Sequence, residues 1–119
     1  MTTVCNVKVK HIKPKYNNLR EWMADPNNVY VGRSNVVFVD GERFPKVASI
    51  WANPFKIKAG ATREQVIAQY RAHFIAKLDA DPALVVELLA LRGKQLGCWC
   101  YPEACHADVL VELIDLYGR

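Results

Sequence analysis

The segment Gly97-Cys98-Trp99-Cys100-Tyr101-Pro102-Glu103-Ala104-Cys105-His106 gathers three thiols and an imidazole within ten residues. Side chains alternate across a strand, so Cys98 and Cys100 face one way and Trp99 the other, its ring against a helix layer. Pro102 breaks the strand. Cys105-His106 then falls in the first turn of a helix, where unpaired amides and the positive dipole end favour an anion.

Three chemistries fit these residue types. In the first, Cys98, Cys100, Cys105 and His106 supply the three sulfurs and one nitrogen of a tetrahedral zinc set. Structural zinc sites usually draw paired ligands from separated segments, whereas these four come from nine residues. In the second, Cys105 is a helix-N-terminal thiol of lowered pKa, or the amides there bind phosphate. His106 is then an acid, a base or a hydrogen-bond donor. In the third, the cysteines pack as small apolar side chains and His106 caps locally.

Other residues can converge on the same place. Arg33 follows the glycine of Val29-Tyr30-Val31-Gly32-Arg33 and can hold a phosphate or carboxylate bidentately, or pair with a surface carboxylate. Asn53, before Pro54, can read a base or amide edge or cap its own turn. Arg63 and Tyr70 lie one and two turns into a helix and can line a pocket above the sheet, with core packing the better account of Tyr70. His11 and His73 have no partner nearby in sequence and read as structural, and Cys5 reads as a packed thiol. No glycine-rich phosphate loop, Ser-His-Asp order or His-Glu-x-x-His helix is present.

The elements that must position these groups follow from periodicity and capping. Alternation from Val4 to Ile12 predicts a strand with Val7 and Val9 inward, ended by Lys13-Pro14. Asn18 as N-cap with Glu21 three residues on predicts a short helix stopped before Pro26. A second strand covers Val29–Arg33. Asp40-Gly41 predicts a hairpin turn between Val36 and Val47. Ala48 to Gly60 has neither period and reads as a long loop of the kind that often carries function.

Thr62 and Gln65 form a capping box for a helix to about Leu78, apolar at Val66, Ile67, Tyr70, Phe74, Ile75 and Leu78. Asp81-Pro82 opens another, which Gly93 closes. Lys94 to Cys100 is short and apolar, as in a buried parallel strand. A last helix begins near Ala104. The order predicts one α/β domain over residues 1–119: three layers, with a mixed, partly parallel sheet flanked by helices. Ligands of such sheets sit beyond the strands' carboxyl ends, where the loop after Cys100 lies.

The chain has 119 residues, about half apolar, enough for one core. A net charge of +4 is a mild bias toward anionic partners. No apolar segment marks an export signal or a membrane span, so a cytoplasmic protein with reduced cysteines is expected.

Several of these pieces carry a resemblance: Val29 to Arg33, Asn53-Pro54-Phe55, the Arg63-Glu64 to Tyr70 helix, Leu91-Arg92-Gly93-Lys94, and Cys98 through Leu110. With them the chain resembles a family of small bacterial and phage domains catalogued as a domain of unknown function. The resemblance implies that Arg33, Asn53, Cys98, Cys100, Cys105 and His106 belong to the family's pattern, and it brings no activity with it. A second group is similar in opening a helix with Cys-His followed by arginine; here Ala107 stands in that place.

The leading expectation is a domain that binds or processes a phosphate-bearing ligand, such as a nucleotide, nucleoside or nucleic-acid end. Cys105 and His106 are the catalytic candidates, and Arg33, Asn53, Arg63, Cys98 and Cys100 the ligand contacts. Enzyme or binding module stays open, as do monomer and homodimer. A zinc-stabilised module for a protein partner, using Cys98, Cys100, Cys105 and His106, is the first alternative. Non-specific nucleic-acid binding through the basic first third is the second.

Overall fold

A computed structural model of the chain describes residues 2–55, 62–99, 103 and 105–118. Three strands, β1 (Thr3–Asn6), β5 (Gln95–Cys98) and β2 (Asn28–Tyr30), form a parallel sheet in the order β1-β5-β2. The short apolar β5 is central, as its composition predicts for a strand covered on both faces. Two further strands, β3 (Val37–Val39) and β4 (Glu42–Phe44), pair antiparallel in a second sheet. The parallel and antiparallel pairings of the expected mixed architecture are therefore divided between two sheets.

Register fixes which side chains share a face. Val4, Leu96 and Val29 lie side by side, as do Cys5, Gly97 and Tyr30. The first row, with Cys98, packs against α3 (Arg63–Ala80), α4 (Pro82–Leu89) and α5 (His106–Tyr117). The second packs against α1 (Val9–Ile12) and α2 (Leu19–Ala24), together with Trp99. Helices thus cover both faces, giving the three layers.

Gly97 is dictated by this packing. A Cβ there would run into the Trp22 ring and the Val7 side chain, so the middle strand is bare where Trp22 packs on it.

Local signals account for most boundaries. Thr62 Oγ1 accepts from the Gln65 amide at 3.1 Å and Gln65 Oε1 accepts from the Thr62 amide at 2.9 Å, the reciprocal pair expected at the start of α3. Its buried residues Val66, Tyr70, Phe74 and Leu78 recur every fourth position. Asp81 caps α4 through the Ala83 amide, with Pro82 at the first helical position. Asp40 and Gly41 both adopt positive φ, 53° and 81°, the turn that a two-residue hairpin requires. Gly93 is left-handed at 81° but closes a turn after α4 rather than the helix itself.

The first strand is shorter than its alternation predicts. Asn6 Oδ1 accepts the Lys8 amide at 2.9 Å and Asn6 Nδ2 donates to the Trp99 carbonyl at 3.3 Å, turning the chain after Val7. Residues 9–12 then form one helical turn that buries Ile12 and leaves Val9 41% exposed. An alternating Val-Lys-Val-Lys stretch satisfies both periods at this length, and the Asn6 contacts decide between them. No helix among the described residues is long and apolar enough to cross a membrane.

Candidate functional site

The parallel sheet aims the carboxyl ends of β1, β5 and β2 the same way, and the sequence-marked residues collect there. Cys98, the last residue of β5, points into the α3–α5 layer and is 1% exposed. Cys105 is the N-cap of α5 and 3% exposed. Its Sγ donates to Cys98 Sγ at 3.1 Å. That hydrogen bond, with burial added, raises the Cys105 thiol well above the ordinary cysteine range. The expectation of an acidic thiol at a helix start is thereby corrected: the dipole's pull is outweighed by the S–H hydrogen bond that Cys98 accepts, which holds the thiol protonated, and by desolvation.

The helix end is also matched internally. Asp108, in the first turn, accepts the Cys105 amide at 3.0 Å, so a carboxylate of the chain already meets the positive end of α5.

His106 leads α5 and reaches across to β2. Its Nε2 lies 2.6 Å from the Val31 carbonyl, and its ring stands edge-on to Tyr70 with centroids 5.1 Å apart. A carbonyl can only accept, so Nε2 carries the hydrogen. Burial lowers the imidazole's pKa, the Val31 carbonyl opposes that, and the charge of Arg33 lowers it further. The neutral ring therefore presents Nδ1 as a proton acceptor. Tyr70 is fully buried, donates to the Trp51 carbonyl at 2.8 Å, and has its phenol raised by burial.

Arg33 lies three residues past the end of β2 and is exposed. Its Nε and Nη2 donate to the Asn53 carbonyl at 3.2 and 3.1 Å, and Nη2 also to the Phe55 carbonyl at 3.1 Å. Among the described residues no carboxylate pairs with it. Tyr30 fixes the turn beneath: its hydroxyl donates to the Arg33 carbonyl at 2.8 Å and accepts from Trp99 Nε1 at 2.9 Å. The Tyr30 ring folds back under Gly32, where any Cβ would strike it.

Asn53 meets Arg33 through its backbone. Its side-chain oxygen accepts the Phe55 amide at 2.8 Å, the self-capping alternative of an Asn-Pro turn. Arg63 pairs with Glu103 at 2.9 Å, joining the start of α3 to the segment before α5. His73 stands edge-on to Phe55, and His11 is exposed. The half-buried Cys5 thiol is pushed up to about 11 by burial and by the nearby Cys98.

The fold thus brings Arg33, Asn53, Cys98, Cys105 and His106 to one end of the sheet, with the Arg63–Glu103 pair bridging from α3. Cys100, expected both as a ligand contact and as a metal ligand, lies outside the described residues, as do residues 56–61 of the long loop. Among the described residues no three histidine, cysteine or acidic side chains converge as a metal set.

Sequence reasoning missed the carbonyls of Val31, Asn53 and Phe55, which carry no side-chain signal. It also missed Asp108, whose position three residues after the N-cap was a readable one.

Comparison with known proteins gives relatives but no activity. Over 100 residues the chain is 31% identical to an uncharacterized protein, R718, of Acanthamoeba polyphaga mimivirus, covering 77% of this chain and 70% of that one. Over 67 residues it is 31% identical to an uncharacterized 12.4 kDa protein from the nrdA-td intergenic region of Enterobacteria phage T4. That match spans 56% of this chain and 61% of the phage protein. No solved structure matches. Residues 15–116 match the family described as Domain of unknown function (DUF4326), and the chain belongs to that family.

Proposed function

We propose that this domain binds, and through His106 processes, a phosphate-bearing ligand (a nucleotide, nucleoside or nucleic-acid end) over the carboxyl ends of β2 and β5. The observation that carries this is Arg33: an exposed guanidinium locked in place by two backbone carbonyls, with no acidic partner among the described residues. A cation fixed by carbonyls keeps its full charge and loses little side-chain freedom on meeting an anion.

His106 is the acid–base candidate, because its neutral ring offers Nδ1 while Nε2 is held by Val31. Cys105 and Cys98 serve best as a buried thiol pair that seats α5 beneath the ligand; a nucleophilic role for Cys105 runs against its raised pKa. A thermal-shift screen with nucleoside mono-, di- and triphosphates and inorganic pyrophosphate tests the reading. Ligands that raise Tm in the parent and not in Arg33→Ala support it; no shift with any of them defeats it.

The alternative of a zinc-stabilised module on Cys98, Cys100, Cys105 and His106 runs against the described residues, where Cys98, Cys105 and His106 do not gather as a metal set. Stoichiometric zinc in the purified protein, with unfolding on chelation, would establish that module; a metal-free, stable protein would remove it.

A further inference from the structure

We infer that the phosphate-bearing ligand is a nucleic-acid strand. It lies along a cationic rim running from Arg33 across the ends of the parallel strands to Lys8, Lys10 and Lys13. The inference rests on the reading of Arg33 as the anion contact and extends it to a polyanion.

The rim follows from topology. β1 and β2 flank β5 in parallel, so the residues after β1 and those after β2 emerge at the same end of the sheet. Lys8 is two residues past the end of β1. Its position is fixed by its amide on Asn6, by the Val7 amide on the Cys98 carbonyl at 2.9 Å, and by Asn6 on the Trp99 carbonyl. Helix α1 starts at the next residue and anchors itself through Ile12 alone, leaving Lys8, Lys10 and Lys13 exposed. Lys10 and His11 form its last turn, and no acidic residue lies in its first.

Charge in this part of the chain is one-sided. No aspartate or glutamate precedes Glu21. Lys8, Lys10 and Lys13 have no carboxylate partner among the described residues. Lys15 differs: it lies over the Tyr16 ring and within the field of Asp25, so it is left out of the rim. Arg20 is paired with Asp40 at 2.8 Å and is left out for the same reason.

The span selects the ligand. Neighbouring strands lie about 4.8 Å apart, so the chain leaving β1 and the chain leaving β2 are separated by about 10 Å. Arg33 is held on the Asn53 and Phe55 carbonyls at one exit, while Lys8, Lys10 and Lys13 follow the other, so four cations are offered where a single phosphate would use two. A strand rising about 3.4 Å per nucleotide places several phosphates across that gap.

The test uses a fluorescein-labelled 12-nucleotide single strand, as DNA and as RNA, titrated with the full chain at 50 and 200 mM salt. Four cationic contacts give a salt slope of about −2.8, so affinity falls about 50-fold between those concentrations. Lys8→Gln/Lys10→Gln/Lys13→Gln leaves only Arg33 and should fall about 3-fold. Retention of the parent's Tm checks that this variant folds. Binding of either strand with these slopes supports the inference, and the preferred arm names the sugar.

A flat salt response, an unchanged slope in the triple variant, or equally tight binding of polyglutamate overturns it. If pyrophosphate raises Tm through Arg33 while neither strand binds, the rim fails and the anion contact stands. If neither pyrophosphate nor strand binds, both fail.

Discussion

His106 Nε2 and the Val31 carbonyl, 2.6 Å apart, tie the first turn of α5 to the end of β2. The bond links a helix start to a strand end at the candidate site, and it fixes the tautomer of the His106 imidazole.

Stability should therefore depend on pH through His106. Its pKa is lowered in the folded state, mainly by burial, so the unfolded chain binds more protons as pH falls. The stability is fully present above the unfolded pKa of about 6.5 and is lost as pH drops from there through the lower folded value. Urea unfolding between pH 5.5 and 8 should show stability falling on the acid side in the parent. His106→Gln should flatten that slope. A His106 titration above 6.5 by NMR would contradict the assignment.

Cys105 should be chemically quiet. A thiol raised by its hydrogen bond to Cys98 and by burial carries little thiolate at neutral pH. Iodoacetamide at pH 7.5, followed by peptide mass analysis, should leave Cys105 unmodified in the native protein and modify it in urea. Alkylation of native Cys105 at the rate of free glutathione would reverse that conclusion.

Gly97→Ala should destabilise the domain by about 1–3 kcal/mol, because the added methyl meets the Trp22 ring and Val7. Trp22→Leu costs a packed ring on its own, yet should offset part of the loss when combined with Gly97→Ala. Additive losses in the double variant would show that the two do not share the contact.

Arg63 and Arg33 should separate under mutation. Arg63 pairs with Glu103 at the surface, an arrangement worth about 0–1 kcal/mol. Arg63→Gln should change both Tm and phosphate-ligand affinity little, whereas Arg33→Gln should weaken binding by about 10- to 150-fold. Equal losses would place Arg63 at the ligand.

What could be read in advance divides by range. Thr62 with Gln65, Asp81 with Pro82, and Asp40 with Gly41 act through contacts within three residues, so their elements stand where the sequence put them. The three-layer arrangement also followed, because β5 after Gln95 is apolar and buried on both faces and the helices have apolar faces. The stretch after Asn6 did not, since its outcome hangs on Trp99, more than ninety residues away.

At the site, the meeting of Cys98 with Cys105 was legible from spacing. The direction of the Cys105 pKa was not, because it depends on burial and on which sulfur accepts. The anchoring of Arg33 was likewise hidden, its partners being backbone carbonyls of a loop without periodicity.

The central claim is that Arg33 is the anion contact. Calorimetric titration of the strongest phosphate ligand from the thermal-shift screen, into the parent, Arg33→Lys and Arg33→Ala, tests it most directly. A charge-assisted contact of about 1.5–3 kcal/mol predicts an affinity loss of about 10- to 150-fold for Arg33→Ala. Arg33→Lys should fall between, since it keeps the charge and loses the carbonyl-held fork. An Arg33→Ala variant that binds as tightly as the parent would contradict the account.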